Sequence, residues 1–298
     1  MTQAPGENVF VIDLLTTLRE DKYSPRGWWR FLVRSWNMAC QTARQHPSLQ
    51  RSWARNTLLN GTLAVVVLAL SFALEGSATA WRLLPGFLFC VVWQQSDLFW
   101  HLGLNRRSTS GELLSSIGLA NMLTGWRGLC GSFLLGRLLG GISTPIGLAL
   151  GVFLLGVVTD ILDGQVARRT QTQSKLGQIA DGEADFCLYL AITLILAQHA
   201  LLPLWLVLVM LCRFVLPLLA ALVCYFALAR PVRFGSTIVG KWAGLAQCLY
   251  FLLLLVPPSL TFLTGPLQLP LLIVTVGLLV LAPLAQIVTN VWVPRAAS

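Results

Sequence analysis

Asp160, Asp163, Gly164, Ala167 and Arg168, followed by Gly177, Asp181 and Asp185, form the stretch of this sequence best suited to chemistry. The chain has only 12 acidic residues, and five of them, counting Glu183, fall between positions 160 and 185. Acids where apolar segments enter and leave a bilayer are costly and mark function. Asp160, Asp163, Gly164 and Ala167 stand at offsets 0, 3, 4 and 7, which share one face of a helix. Asp181 and Asp185 are one helical turn apart on the next apolar segment, and a polar, basic connection joins the two. Two helix ends so arranged aim four carboxylates into one space. Alone, such carboxylates repel one another. Two divalent cations would neutralise them and arrange oxygen ligands around a phosphate-bearing substrate. Mg²⁺ or Mn²⁺ suits an all-oxygen site, whereas Zn²⁺ would want His or Cys ligands. The small residues Gly164 and Ala167 leave room for a bulky group, and Arg168 can fork onto phosphate oxygens. Cations clamp a diphosphate, and one carboxylate is left to take a proton from an attacking hydroxyl. The bland alternative is that these acids merely end helices or pair with Arg168, Arg169 and Lys175. Four acids at these offsets, with Gly and Ala between them, speak against it.

The elements that must position these residues are membrane helices. Of 298 residues, 56% are hydrophobic and 11% charged, and several apolar runs reach the ~20 residues a helix needs to cross a bilayer. Lipid leaves unpaired backbone no partner outside helices and closed barrels, and no ten-residue segments alternate with a period of two. The reading is an all-α polytopic membrane protein. Charged residues interrupt the apolar clusters of the first 30 positions, so no signal-peptide pattern is expected. The seven cysteines are scattered without a CxxC pair, which points to packing rather than disulfides or zinc. A net charge of +9 fits anionic lipid and phosphate chemistry; the apolar spans argue against a nucleic-acid partner.

Residues 1–56 read as a cytoplasmic or interfacial region. Trp28, Trp29 and Trp36 interleave there with Arg30 and Arg34, as in an amphipathic helix lying in the membrane interface. Apolar spans follow at 57–75, 83–101, 117–140, 144–163, 178–200, 202–228, 239–263 and 268–292. Gln94, Gln95, Asp97 and His101 interrupt the second. Residues 57–110 form a transmembrane extension of about two helices, and 111–298 a six-helix membrane domain. Eight basic residues precede the first span, and later ones gather at alternate span ends. That bias places both termini and the acidic hairpin at the cytoplasmic face.

The hairpin reads, without a missing position, as D-x2-D-G-x2-A-R-x8-G-x3-D-x3-D, the signature of the CDP-alcohol phosphotransferase family. Asn121, Thr124 and Arg127 resemble the N-x2-T-x2-R that opens the first family helix, and the resemblance covers roughly residues 115–290. It implies a six-helix core, usually a homodimer, that joins an alcohol to the phosphate of a CDP-linked substrate and releases CMP. By the same resemblance Asp160 and Asp181 would bridge two metals, Asp163 would hold one, and Asp185 the other while serving as general base. Asn121, Thr124, Gly164, Ala167, Arg168, Ser174 and Gly177 would contact the CDP moiety.

For the acceptor, Arg213 sits in mid-span, where an arginine is expected to face an aqueous cavity or an anion. Gly240, Lys241 and Gln247 are similar to the G-K…Q region of phosphatidylglycerophosphate and phosphatidylinositol-phosphate synthases. Arg127, Arg213, Arg233 and Lys241 are therefore expected to form a pocket for a phosphorylated alcohol such as glycerol 3-phosphate. Glu183 departs from the phosphatidylglycerophosphate branch, and an acid there would coordinate metal, orient a hydroxyl or pair with Arg213. The expected donor is CDP-diacylglycerol. A CDP-amino-alcohol:diacylglycerol phosphotransferase is the alternative. An intramembrane prenyltransferase lacks the D-G-x2-A-R block, and a cation transporter would need polar residues continuing through spans that offer almost none.

Overall fold

The computed structural model describes residues 5–227, 237–257 and 261–292, and among them every regular element is helical. Two N-terminal helices, α1 (Pro5–Glu20) and α2 (Pro25–Gln45), precede α3 (Pro47–Glu75) and α4 (Ser77–Trp100). Six more follow: α5 (Gly118–Leu139), α6 (Ile146–Arg169), α7 (Lys175–Gln198), α8 (Leu204–Leu222), α9 (Ile238–Leu255) and α10 (Thr261–Trp292). Seven of the eight apolar spans of the sequence fall mainly on one helix each, α3 to α8 and α10, whereas the span 239–263 covers α9 and reaches the first residues of α10. Among the described residues, five stretches are long and apolar enough to cross a membrane: α3, α6, α8, α9 and Gly265–Val288 of α10. α4, α5 and α7 have comparable length but carry polar residues in the bundle, among them the buried Gln94, Gln95, Asn121, Thr124, Arg127 and Thr193. This is a multi-pass integral membrane protein.

Local chemistry sets the helix starts. Pro25 and Pro47 occupy first-turn positions, where a missing N–H costs nothing. Ser24, Ser174 and Thr237 cap α2, α7 and α9 by accepting the amides of Gly27, Gly177 and Gly240 at 3.0–3.1 Å. α3 begins at Pro47, ten residues before the apolar span, because its polar first turns continue the same helix out of the bilayer. α9 stops at Leu255 rather than near 263, since Pro257 and Pro258 disfavour helix in the residues before them.

α5 is the hub, packed against α4, α6 and α7. Its glycines allow backbones to meet, as small residues do between membrane helices. A Cβ at Gly131 would lie 2.7 Å from the Leu188 amide of α7, and one at Gly136 2.8 Å from the Phe87 amide of α4. The main core joins α5–α10 around Leu134, Phe153, Leu188, Ile192, Met210 and Phe251. At one end, Arg137 of α5 binds both carboxylate oxygens of Glu75 (2.9 and 2.7 Å), and Arg82 donates to the carbonyls of Gly140 and Gly141 (2.9 and 2.6 Å). These bonds pin the α3–α4 hairpin to α5. On α2, Trp29, Leu32, Val33 and Trp36 line up at offsets 0, 3, 4 and 7 as an exposed apolar stripe, the surface an interfacial helix needs.

Candidate active site

Three helices build the acidic centre. Asp160 and Asp163 come from the C-terminal part of α6, Asp181 and Asp185 from the first turns of α7, and Asn121, Thr124 and Arg127 from one face of α5. The α6–α7 turn is held by the loop before α5: Ser108 donates from its amide and its hydroxyl to the Gln173 carbonyl, both at 2.8 Å. Asp160, Asp163 and Asp181 each offer a carboxylate oxygen, and the three oxygens lie within 4.8 Å of one another. The Thr124 hydroxyl donates to Asp163 Oδ2 at 2.8 Å.

Arg127 stands at the centre of these acids. Its side chain is 1% exposed. It hydrogen-bonds Asp160 and Asp181, lies 3.2 Å from Asp163 Oδ2, and places Nε 3.1 Å from Asp185 Oδ1. One guanidinium against four carboxylates leaves three negative charges in a part-buried pocket. All donors are carboxylate oxygens, so the residues fit hard divalent cations.

The remaining residues singled out in the sequence surround this centre. Asn121 donates to the Ile117 carbonyl at 2.8 Å, and its Oδ1 would sit 3.0 Å from a Cβ at Gly177, a close approach of the two helices. Ser174 is buried and caps α7. The exposed Arg168 curls over Gly164, its Nη1 3.2 Å from where a Cβ would be, and Ala167 is half-buried beside them.

Of the residues expected around the acceptor, the described ones take different places. Arg127 belongs to the aspartates, because its place on α5 is the face turned to α6 and α7. Glu183 turns away from the metal face: on a helix it lies about 200° from both Asp181 and Asp185. It faces α4 instead, near Trp93 and the Asp97–His101 pair, whose Oδ2–Nδ1 distance is 3.2 Å. Arg213 does flank the site, where its charge bears on Asp185. Its guanidinium lies over the Phe214 and Tyr189 rings (5.0 and 5.7 Å) and donates to Gln247 Oε1 at 2.5 Å. Gln247 Nε2 is buried without a protein partner. Lys241 is exposed in the first turn of α9, and Arg233 lies outside the described residues. Sequence reasoning treated Gln94 only as an interruption of a span, although an amide in so apolar a helix is itself a signal for a buried partner.

A helical membrane protein with clustered aspartates, an arginine among them and a second arginine alongside is built to handle phosphate groups. Residues 117–291 match the family model for CDP-alcohol phosphatidyltransferase, and the chain belongs to that family. A cardiolipin synthase (CMP-forming) from Streptomyces coelicolor is 48% identical over 68 residues, which span 22% of this chain and 31% of that relative. The match thus covers less than a third of the relative's length. No solved structure matches the chain.

Proposed function

We propose that this protein transfers the phosphatidyl group of CDP-diacylglycerol to a hydroxyl of a phosphate-bearing alcohol and releases CMP. The feature that carries the reading is Asp185, which lies 3.1 Å from Arg127 Nε beside the aspartates and feels the charge of Arg213, itself bonded to Gln247. Asp160, Asp163, Asp181 and Asp185 would hold two divalent cations, Mg²⁺ or Mn²⁺, which when bound neutralise the diphosphate and its leaving group. Asn121, Thr124, Gly164, Ala167, Arg168, Ser174 and Gly177 would seat the CDP moiety. Asp185 accepts the acceptor's hydroxyl proton as that oxygen attacks the phosphatidyl phosphorus. The phosphorus–oxygen bond to CMP breaks, and CMP leaves with the electron pair. Arg213 holds the acceptor phosphate by charge-assisted hydrogen bonds, with Gln247 Nε2 as a further donor. A homodimer and a site facing the cytoplasm, in line with the Lys/Arg bias, complete the proposal.

A second acceptor class is favoured by the cardiolipin synthase relative, since making cardiolipin with release of CMP requires a phospholipid alcohol. Both classes present a phosphate to Arg213. The test offers purified protein CDP-diacylglycerol with Mg²⁺ or Mn²⁺ and glycerol 3-phosphate, inositol phosphate, phosphatidylglycerol or uncharged alcohols, and reads CMP. Release is expected only with a phosphate-bearing acceptor, soluble or lipid. Arg213→Ala should raise KM for that acceptor by at least about tenfold, the loss of roughly one charge-assisted bond, with KM for CDP-diacylglycerol unchanged. CMP release with uncharged alcohols alone, or with none, would overturn the reading.

A further inference from the structure

α4 lies outside the residues that match the family, yet one of its polar side chains leans on two of the three helices that build the acidic centre. Gln94 is the point of contact. Its Nε2 donates to the Gly128 carbonyl on α5 at 3.3 Å and to Cys187 Sγ on α7 at 3.6 Å, using both amide hydrogens. Gly128 follows Arg127 directly, and Cys187 lies two residues beyond Asp185. The contact depends on glycine, because a Cβ at Gly128 would come within 2.6 Å of Gln94 Oε1. Gln95, one residue on, is engaged with α3 instead, accepting from Thr57 at 3.1 Å. Only Gln94 of this amide pair therefore spans α5 and α7. Beside it a cavity of about 20 Å³, lined by Asn56, Gln94, Thr124, Gly128 and Glu183, has room for one water. Glu183 Oε1 is buried there without a protein partner.

We propose that Gln94 is a positioning residue: its amide ties α5 to α7 at the level of Arg127 and Asp185 and so sets how the α7 carboxylates meet Arg127 and, through α5, those of α6. In this way the N-terminal extension is part of the catalytic unit rather than an appended anchor. The inference rests on reading the acidic cluster as a divalent-cation site. Groups that orient metal ligands without touching the metal typically change affinity by about 10–100-fold.

The experiment uses the full-length protein and its shape-conserving variant Gln94→Met, with Gly128→Ala, which pushes the amide away from α5, as an independent second variant. Mn²⁺ binding without substrate is followed by electron paramagnetic resonance, beside thermal melting in chelator and CMP-release kinetics. Both variants should bind Mn²⁺ about tenfold more weakly, with kcat reduced and KM for CDP-diacylglycerol within twofold of wild type. Gln94→Glu, which keeps an oxygen and the chain length but has only one donor at most, should fall between. If whichever variant folds binds Mn²⁺ as wild type does, the proposal is refuted, even when melting falls, because Gln94 would then serve packing alone. If wild type itself binds no Mn²⁺, the cation reading fails first, and the two failures are distinct.

Discussion

Replacing Arg127 by Met tests the electrostatics of the acidic centre most directly. The substitution roughly conserves volume and removes the only cation that touches all four aspartates. Breaking a buried ion pair by removing one partner costs about 3–5 kcal/mol, because the charge left behind is uncompensated. Here the aspartate side chains of positions 160, 181 and 185 are 52%, 48% and 34% exposed, and only Asp163, at 8%, is buried. Solvent therefore screens most of the remaining charge, and the lower end applies, about 3 kcal/mol. For a chain of this size that corresponds to a fall in melting temperature of roughly 6–12 °C, at roughly 2–4 °C per kcal/mol. The assay is thermal melting of wild type and Arg127→Met in mild detergent, in chelator and then with excess Mg²⁺ or Mn²⁺. A cation at 100 times its dissociation constant contributes about 2.7 kcal/mol, close to the loss itself. The gap between the two proteins should be wide in chelator and narrow with metal, because the variant gains more from the cation than wild type does. Equal melting in chelator would show that Arg127 balances no charge. A gap that metal leaves untouched would refute the site as a place for divalent cations.

Asp185→Asn should lower CMP release by at least about 100-fold, the lower end of what a positioned proton acceptor contributes, while CDP-diacylglycerol still binds in the presence of Mn²⁺. Turnover within a few-fold of wild type would remove Asp185 as the base. Away from the site, Glu75→Ala should strip Arg137 of its carboxylate and cost about 3 kcal/mol, seen as a lower melting temperature. CMP-release kinetics below that temperature should stay within twofold of wild type, since Glu75 pins the α3–α4 hairpin at the far end of α5. A loss of kcat without a loss of stability would contradict that separation.

The periodicity of the chain determined a good deal by itself. Offsets of 3 and 4 put Asp160 with Asp163, and Asp181 with Asp185, on single helix faces, and runs of apolar residues marked the helices from α3 to α10. Ser174, which the resemblance assigns to the CDP moiety, also caps α7, a role the sequence did not announce. These are local properties, fixed by 3.6 residues per turn and by the cost of exposing backbone to lipid. What periodicity does not contain is which face of one helix meets which face of another. Arg127 is a single cation in a sequence with many, and only the packing of α5 between α6 and α7 brings it among four aspartates. Glu183, two residues from each of two aspartates, is sent to the opposite side of α7 by the same 100° step that unites its neighbours, and there it meets α4. Gln94 reaches Gly128 and Cys187 across 34 and 93 positions of chain. The sequence by itself determined the acidic cluster proposed to react and the helices that bear it. The tertiary structure alone decided its counter-charge and its supports, because close contact between helices depends on which residue of one helix a glycine of the other meets, as Gly131 meets Leu188 and Gly136 meets Phe87.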